Sequence, residues 1–186
     1  FAGMIYAWSI LKGPLAEDFG WTAGELAFNF TLTMCFFCLG GLVSGLLSKR
    51  LSARLRLLVS ALLVLLGFYV SSRLDGGSLA PLYLAYGVCA GTGIGIVYNT
   101  VIAAVGAWFP DKKGLCSGVL MMAFGFSTLI IGNAAGRAIV SIGWRETYLV
   151  LGIATAAVLA VSAFLIKTPP APERQAGSAG GQEGYT

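Results

Sequence analysis

Long apolar runs, separated by short polar turns, decide what this chain can fold into. Runs at 26–47, 57–70, 79–109, 115–140 and 147–166 carry hardly any charge, and another opens the sequence at 1–15. A helix needs about 20 apolar residues to cross hydrocarbon. In lipid a helix satisfies its own backbone polar groups, which an open strand cannot do. Of 186 residues, 57% are apolar and 11% charged, whereas a soluble domain carries roughly 25% charged residues. The pattern predicts an all-α membrane protein, a six-transmembrane-helix bundle over 1–167. The start at Phe1, inside an apolar run, reads as a truncated first helix and a fragment. Residues 168–186, TPPAPERQAGSAGGQEGYT, are rich in Pro, Gly, Ala and Ser and read as a disordered linker.

Charge placement predicts the orientation. The breaks after the second, fourth and sixth segments hold Lys49, Arg50, Arg54, Arg56, Lys112, Lys113 and Lys167. The other side holds Lys12, Arg73 and Arg145, with Arg137 near the end of the fifth segment. The richer set marks the cytoplasmic side. A multi-pass protein of the cell (inner) membrane with a cytoplasmic C-terminal tail follows. Trp21, Trp108 and Trp144 fall at the predicted interfaces, as an aromatic belt does. The net charge of +4 is then a topology signal, and no nucleic-acid partner is expected.

Several chemistries lack their residues. There is no histidine, the commonest general base and metal ligand. Cys35, Cys38, Cys89 and Cys116 sit in apolar context and read as small buried hydrophobes. Cys35 and Cys38 form a C-x-x-C, but redox work needs a reachable, activated thiolate, and no cation is near in sequence. Gly91, Gly93 and Gly95 mimic a nucleotide loop, yet they lie inside a spanning run rather than between a strand and a helix. No enzyme activity, cofactor or metal is expected. No Asp or Glu falls inside a predicted span, which argues against a proton relay within these residues.

What remains is small and polar. In YGVCAGTGIGIVYN, Gly87, Gly91 and Gly95 recur every four residues and share a face with Tyr98 and Asn99. Small residues let helix backbones approach closely in lipid. Tyr98 and Asn99 need partners or water at such depth, so they either line a cavity or bond a neighbouring helix. Gly118, Gly125, Gly132 and Gly136 make a second stripe, read as close packing or as a flexible gating helix. Asp111 is placed to cap the fifth segment. The basic loop with Arg50 and Arg54 serves topology, or a latch in which cations hold helix C-termini. Arg137 snorkels to the interface or attracts an anionic solute.

The stretches YAWSILKGPLAEDFGW, FTLTM, YGVCAGTGIGIVYN, WFPDKKGLCSG and GWRETYLVLG resemble the N-terminal half of the oxalate/formate antiporter family of the major facilitator superfamily. The resemblance covers 1–166. It implies one half of a twelve-helix carrier, which moves a small carboxylate such as oxalate, formate or lactate by alternating access between two halves. The partners it implies are that solute, the lipid bilayer and a missing C-terminal six-helix half that supplies cations. By motif, Tyr6 and Tyr98 match cage tyrosines, with Asn99 beside them as a substrate-binding residue. The superfamily loop reads Gly-x-x-x-Asp-Arg-x-Gly-Arg; here Gly45 and Arg50 are kept, but Lys49 replaces Asp and Ser52 replaces Gly. The remaining loop residues, Arg54, Asp111 and Lys112, complete the predicted cytoplasmic motif. A rival expectation is a membrane sensor or assembly subunit on a carrier-like scaffold.

Overall fold

A computed structural model describes residues 4–48 and 50–166, with side chains from Trp8 onward apart from Lys113. The linker read over 168–186 lies outside the described residues. The described chain contains the helices α1 (Met4–Phe19), α2 (Ala23–Leu47), α3 (Ala53–Ser72), α4 (Ala80–Trp108), α5 (Lys113–Ile142) and α6 (Trp144–Leu165). No strand occurs among the described residues. Helices α2 to α6 are long and apolar enough to cross a membrane, and α1 is described over 16 residues.

Local chemistry sets the boundaries, and several differ from the apolar runs. Helix α1 continues through the polar stretch to Phe19, because Leu15 is buried while Glu17 and Asp18 face outward. Helix α2 starts early, at Ala23, on a capping box. The Thr22 hydroxyl accepts from the Glu25 amide at 3.3 Å, and the Glu25 carboxylate accepts from the Thr22 amide at 2.8 Å. Ser52 caps α3 in the same way, accepting from the Leu55 amide at 3.3 Å. The basic break, read as extending to Arg56, therefore ends at Ser52, and Arg56 enters the helix.

Helix α4 begins with Pro81 in its first turn, where no intrahelical donor is lost. It runs as a π-helix over Tyr83–Ala90 and then as an α-helix from Gly91 to Trp108. Pro110 stops it: Phe109 sits at φ −125°, ψ 68°, off the helical region. A single 3₁₀ turn, Pro110–Lys112, joins α4 to α5. The N-cap of α5 is Lys112, with no side-chain cap bond, so Asp111 does not cap it. Asp111 is held inside the 3₁₀ turn that begins at Pro110, one residue before the cap position. Between α5 and α6 the chain turns at Gly143 alone, at φ 83°, where any side chain is strained.

The most extensive contacts pair α2 with α4 and α3 with α6, while α3 also packs on α4 and α1 packs on α5. The core is aromatic at its centre. Tyr86 on α4 is buried against Trp8 (4.7 Å), Phe68 (5.3 Å) and Tyr148 (6.3 Å). Three turns meet at one end. The Trp144 indole donates to Asp18 Oδ2 at 2.5 Å, Arg145 Nη2 donates to the Leu74 carbonyl at 3.0 Å, and Phe19 packs on both Trp21 and Trp144.

The exterior is apolar, as lipid solvation demands. Leu55, Val59, Leu62, Leu66 and Tyr69 form an exposed stripe on α3, and Leu115, Val119, Phe126 and Ile130 are exposed on α5. The cysteines differ from expectation. Cys35 and Cys38 are exposed on α2, and Cys89 and Cys116 are half-buried. A small apolar residue has no reason to hide when the surroundings are themselves apolar.

Close approach of α2 and α4 depends on glycine. A Cβ on Gly95 would fall on the Phe37 carbonyl oxygen, and one on Gly40 on the Thr92 carbonyl oxygen. Gly95→Ala is expected to cost about 1–3 kcal/mol through forced separation of the backbones. A Cβ at Gly118 meets nothing within 4 Å, so Gly118→Ala is expected to leave stability unchanged or raise it by up to about 1 kcal/mol. Denaturant titration of the purified protein in detergent ranks the two. Equal stability of both variants contradicts the packing assignment.

Candidate functional site

Helix α4 carries the predicted motif against α2. Gly91 lies under the Thr33 carbonyl, 2.8 Å from where a Cβ would stand, and Gly87 lies under Leu32. With Gly95 these positions form one face turned to α2. Asn99 is on that face too: its amide donates to the Gly41 carbonyl at 2.6 Å. The structure thus gives Asn99 a neighbouring helix as its partner. Tyr98 stands one residue round, half-buried, with its ring 5.5 Å from both Phe37 on α2 and Phe124 on α5. It lines a cavity of about 170 Å³ between α4 and α5, with Val101, Leu120, Phe124 and Ser127. That space admits several waters or a small carboxylate. Tyr6 lies on α1, but its side chain is outside the described residues, so its distance to Tyr98 is not defined.

The second glycine stripe divides. Gly132 and Gly136 face Ile10 of α1, while Gly118 and Gly125 have open space beside them. At the α2–α3 end, Arg50, Arg54, Asp111 and Lys112 are exposed, and Lys49 lies outside the described residues. The Gly45 carbonyl accepts from both the amide (3.2 Å) and the hydroxyl (2.6 Å) of Ser48, closing α2. Ser52, where the superfamily places Gly, acts as a helix cap. Arg137 is exposed on α5.

Two buried polar features were missed in the sequence reading. Arg56 is 7% exposed, and its Nη1 donates to the Ser44 carbonyl (3.1 Å) and hydroxyl (3.2 Å). The Ser44 hydroxyl also shares a 3.0 Å hydrogen bond with Thr100, tying α2, α3 and α4 together. Reading Ser52 as a cap places Arg56 one turn inside α3, which was the available signal. The other feature is Asn29 on α2. It is fully buried, its amide finds no partner among the described residues, and its Oδ1 lies against Gly87 in the π-helical stretch. A π-helical segment inside an α-helix often marks a functional position, and an unpaired buried amide is rare.

Apolar spanning helices, a polar seam between them and an aromatic-lined cavity define a multi-pass helical membrane protein. The chain belongs to the major facilitator superfamily, whose family model matches residues 1–184. It is 27% identical over 172 residues to the oxalate:formate antiporter of Oxalobacter formigenes, covering 90% of this chain and 40% of that one. It is 26% identical over 184 residues to an uncharacterized MFS-type transporter, YhjX, of Escherichia coli, covering 99% and 45%. It is 33% identical over 137 residues to mouse monocarboxylate transporter 12, covering 74% and 27%. The chain therefore spans less than half the length of these relatives. The resemblance read from the motifs is borne out.

Removing the Ser44 hydroxyl takes one acceptor from the Arg56 guanidinium and a partner from Thr100. Arg56 Nη1 keeps the Ser44 carbonyl and Thr100 keeps the Ile96 carbonyl, so Ser44→Ala is expected to lower stability by about 0.5–1.5 kcal/mol, the net worth of a hydrogen bond. Unfolding in detergent measures it; a variant as stable as the parent shows that the cluster holds nothing together.

Proposed function

We propose that this chain forms the N-terminal part of a carrier for small organic anions, mono- or dicarboxylates, working by alternating access and most simply by exchange. The similarity to an oxalate:formate antiporter over nine-tenths of the chain carries the reading. The position of Tyr98 supports it. Its ring packs against Phe37 and Phe124, and the residue lines the α4–α5 cavity. A phenol can donate to a carboxylate without carrying charge of its own. Tyr6 is assigned the same role from α1. Asn99 holds α4 to α2 beside the solute and fixes the approach of Tyr98.

In this reading the chain's own half supplies neutral donors and aromatic walls. No carboxylate lies deep in α2–α6: Glu25 and Glu146 fall in first turns. The countercharge to the solute comes from the remainder of the carrier, and the solute is neutralised only when the two parts close on it. The same reading puts the α2–α3 and α4–α5 loops, and the tail, on the cytoplasmic side of the cell membrane, and the basic residues of those turns support it.

The test uses the protein expressed from its whole gene, reconstituted in liposomes loaded with oxalate or formate. Tyr98→Phe removes one hydroxyl and keeps the ring. Loss of a hydrogen bond to a charged group, about 1.5–3 kcal/mol, corresponds to a drop of roughly tenfold or more in exchange. Tyr6→Phe is expected to act in the same direction. Unchanged exchange in both variants sinks the site assignment, and no uptake of any small carboxylate by the parent protein sinks the function.

A further inference from the structure

We propose, on the basis of the carboxylate-carrier reading above, that the Tyr98 cavity leads into a second resting place for the solute, between Gly106 of α4 and Ser117 of α5. A cavity of about 400 Å³ lies between the two helices toward the Pro110–Lys112 turn, lined among others by Gly106, Cys116 and Ser117. Ile102 and Leu120 line both this cavity and the one at Tyr98. The two spaces are therefore neighbours, divided by one pair of side chains. At about 1.5 Å per residue, Gly106 stands roughly 12 Å beyond Tyr98 along α4.

Ser117 gives the second space a donor. A serine inside a helix commonly bonds back to a carbonyl one turn earlier. Elsewhere on α5, Ser127 and Thr128 donate to the Phe124 carbonyl, and Ser141 donates to the Ala138 carbonyl. The half-buried Ser117 hydroxyl takes no such partner among the described residues. A hydroxyl left unbonded on a cavity wall can donate to a carboxylate oxygen. Gly106 supplies the room. Glycine is a poor helix former, and no close contact requires it here, because a Cβ at Gly106 meets nothing within 4 Å. Lys112, exposed in the turn at that end, adds attraction for an anion. An acyl chain makes no use of the hydroxyl, whereas a carboxylate that has passed Tyr98 does.

The experiment uses the protein from its whole gene, reconstituted in liposomes. A small methanethiosulfonate reagent is added, and its attachment to Cys116 is read by mass spectrometry with and without oxalate or formate. Cys116 is expected to be modified in the absence of solute and several-fold more slowly in its presence. Formamide, which lacks the charge, is expected to give no protection. Ser117→Ala is expected to raise the concentration needed for half-protection by roughly tenfold, as loss of a hydrogen bond to a charged group does. Gly106→Leu puts a side chain into the space, and it is expected to keep the unfolding midpoint and lose most of the exchange. A Cys116 that the reagent does not reach, or that the solute leaves unprotected while the parent exchanges it, overturns the second resting place and leaves the Tyr98 site standing. Full exchange by folded Gly106→Leu does the same, and the Cys116 measurement on the parent decides alone if that variant does not fold. A parent that takes up no small carboxylate overturns both.

Discussion

Backbone contact between α2 and α4 is the constraint that the rest of the bundle depends on. In lipid no hydrophobic force draws helices together, so close packing and a few polar bonds must do it. Glycines on both partners, Gly40 and Gly95, remove the side chains that would keep the backbones apart. Once the two helices touch, short polar side chains can bridge them: Asn99 reaches Gly41, and Ser44 reaches Thr100. Arg56 then closes the seam from α3. The same contact turns Tyr98 away from α2's backbone and against Phe37 and Phe124, at the edge of the cavity.

The existence of the helices was legible because every spanning segment is apolar along its whole length. Their inward faces were not, for the same reason. A soluble helix reveals its buried side by contrast with a polar one, but here the outer face is as apolar as the core. Leu62 and Phe68 lie on the same helix, one mostly exposed and the other fully buried, and nothing in their chemistry separates them. Only glycines and polar residues mark the inside. That signal worked for Gly87, Gly91 and Gly95, which all face α2. It was weaker for Gly118 and Gly125, whose stripe meets α1 only at its far end. Helix ends followed capping chemistry rather than hydropathy, which is why Ser52, and with it Arg56, was misplaced. The π-helical stretch left no trace in composition, since a shift of one hydrogen-bond register needs no special residue.

The two ends of the bundle are built from different interactions. Where α1, α3 and α5 hand over to their successors, an aromatic and hydrogen-bonded clasp joins Asp18, Phe19, Trp144 and Arg145. These bonds cross between turns far apart in sequence and fix that end as a unit. At the other end the described turns carry exposed cations, and the tie lies deeper, in the Ser44–Thr100–Arg56 cluster. Among the described residues, the first end is tied turn to turn, while the second is tied inside the bundle.

Helix α5 differs from the others in how little of it is covered. It meets α1 through Ile10 at Gly132 and Gly136, and it meets Tyr98 through Phe124. Many of its other residues are exposed, among them Met121, Met122 and Phe126. Displacing α5 opens the wall of the Tyr98 cavity without disturbing the glycine contact that holds α2 to α4. Displacing α4 breaks that contact, the Asn99 bond and the Ser44 cluster together. Tyr98 thus sits on the more extensively packed helix, while one wall of its cavity belongs to the less covered one.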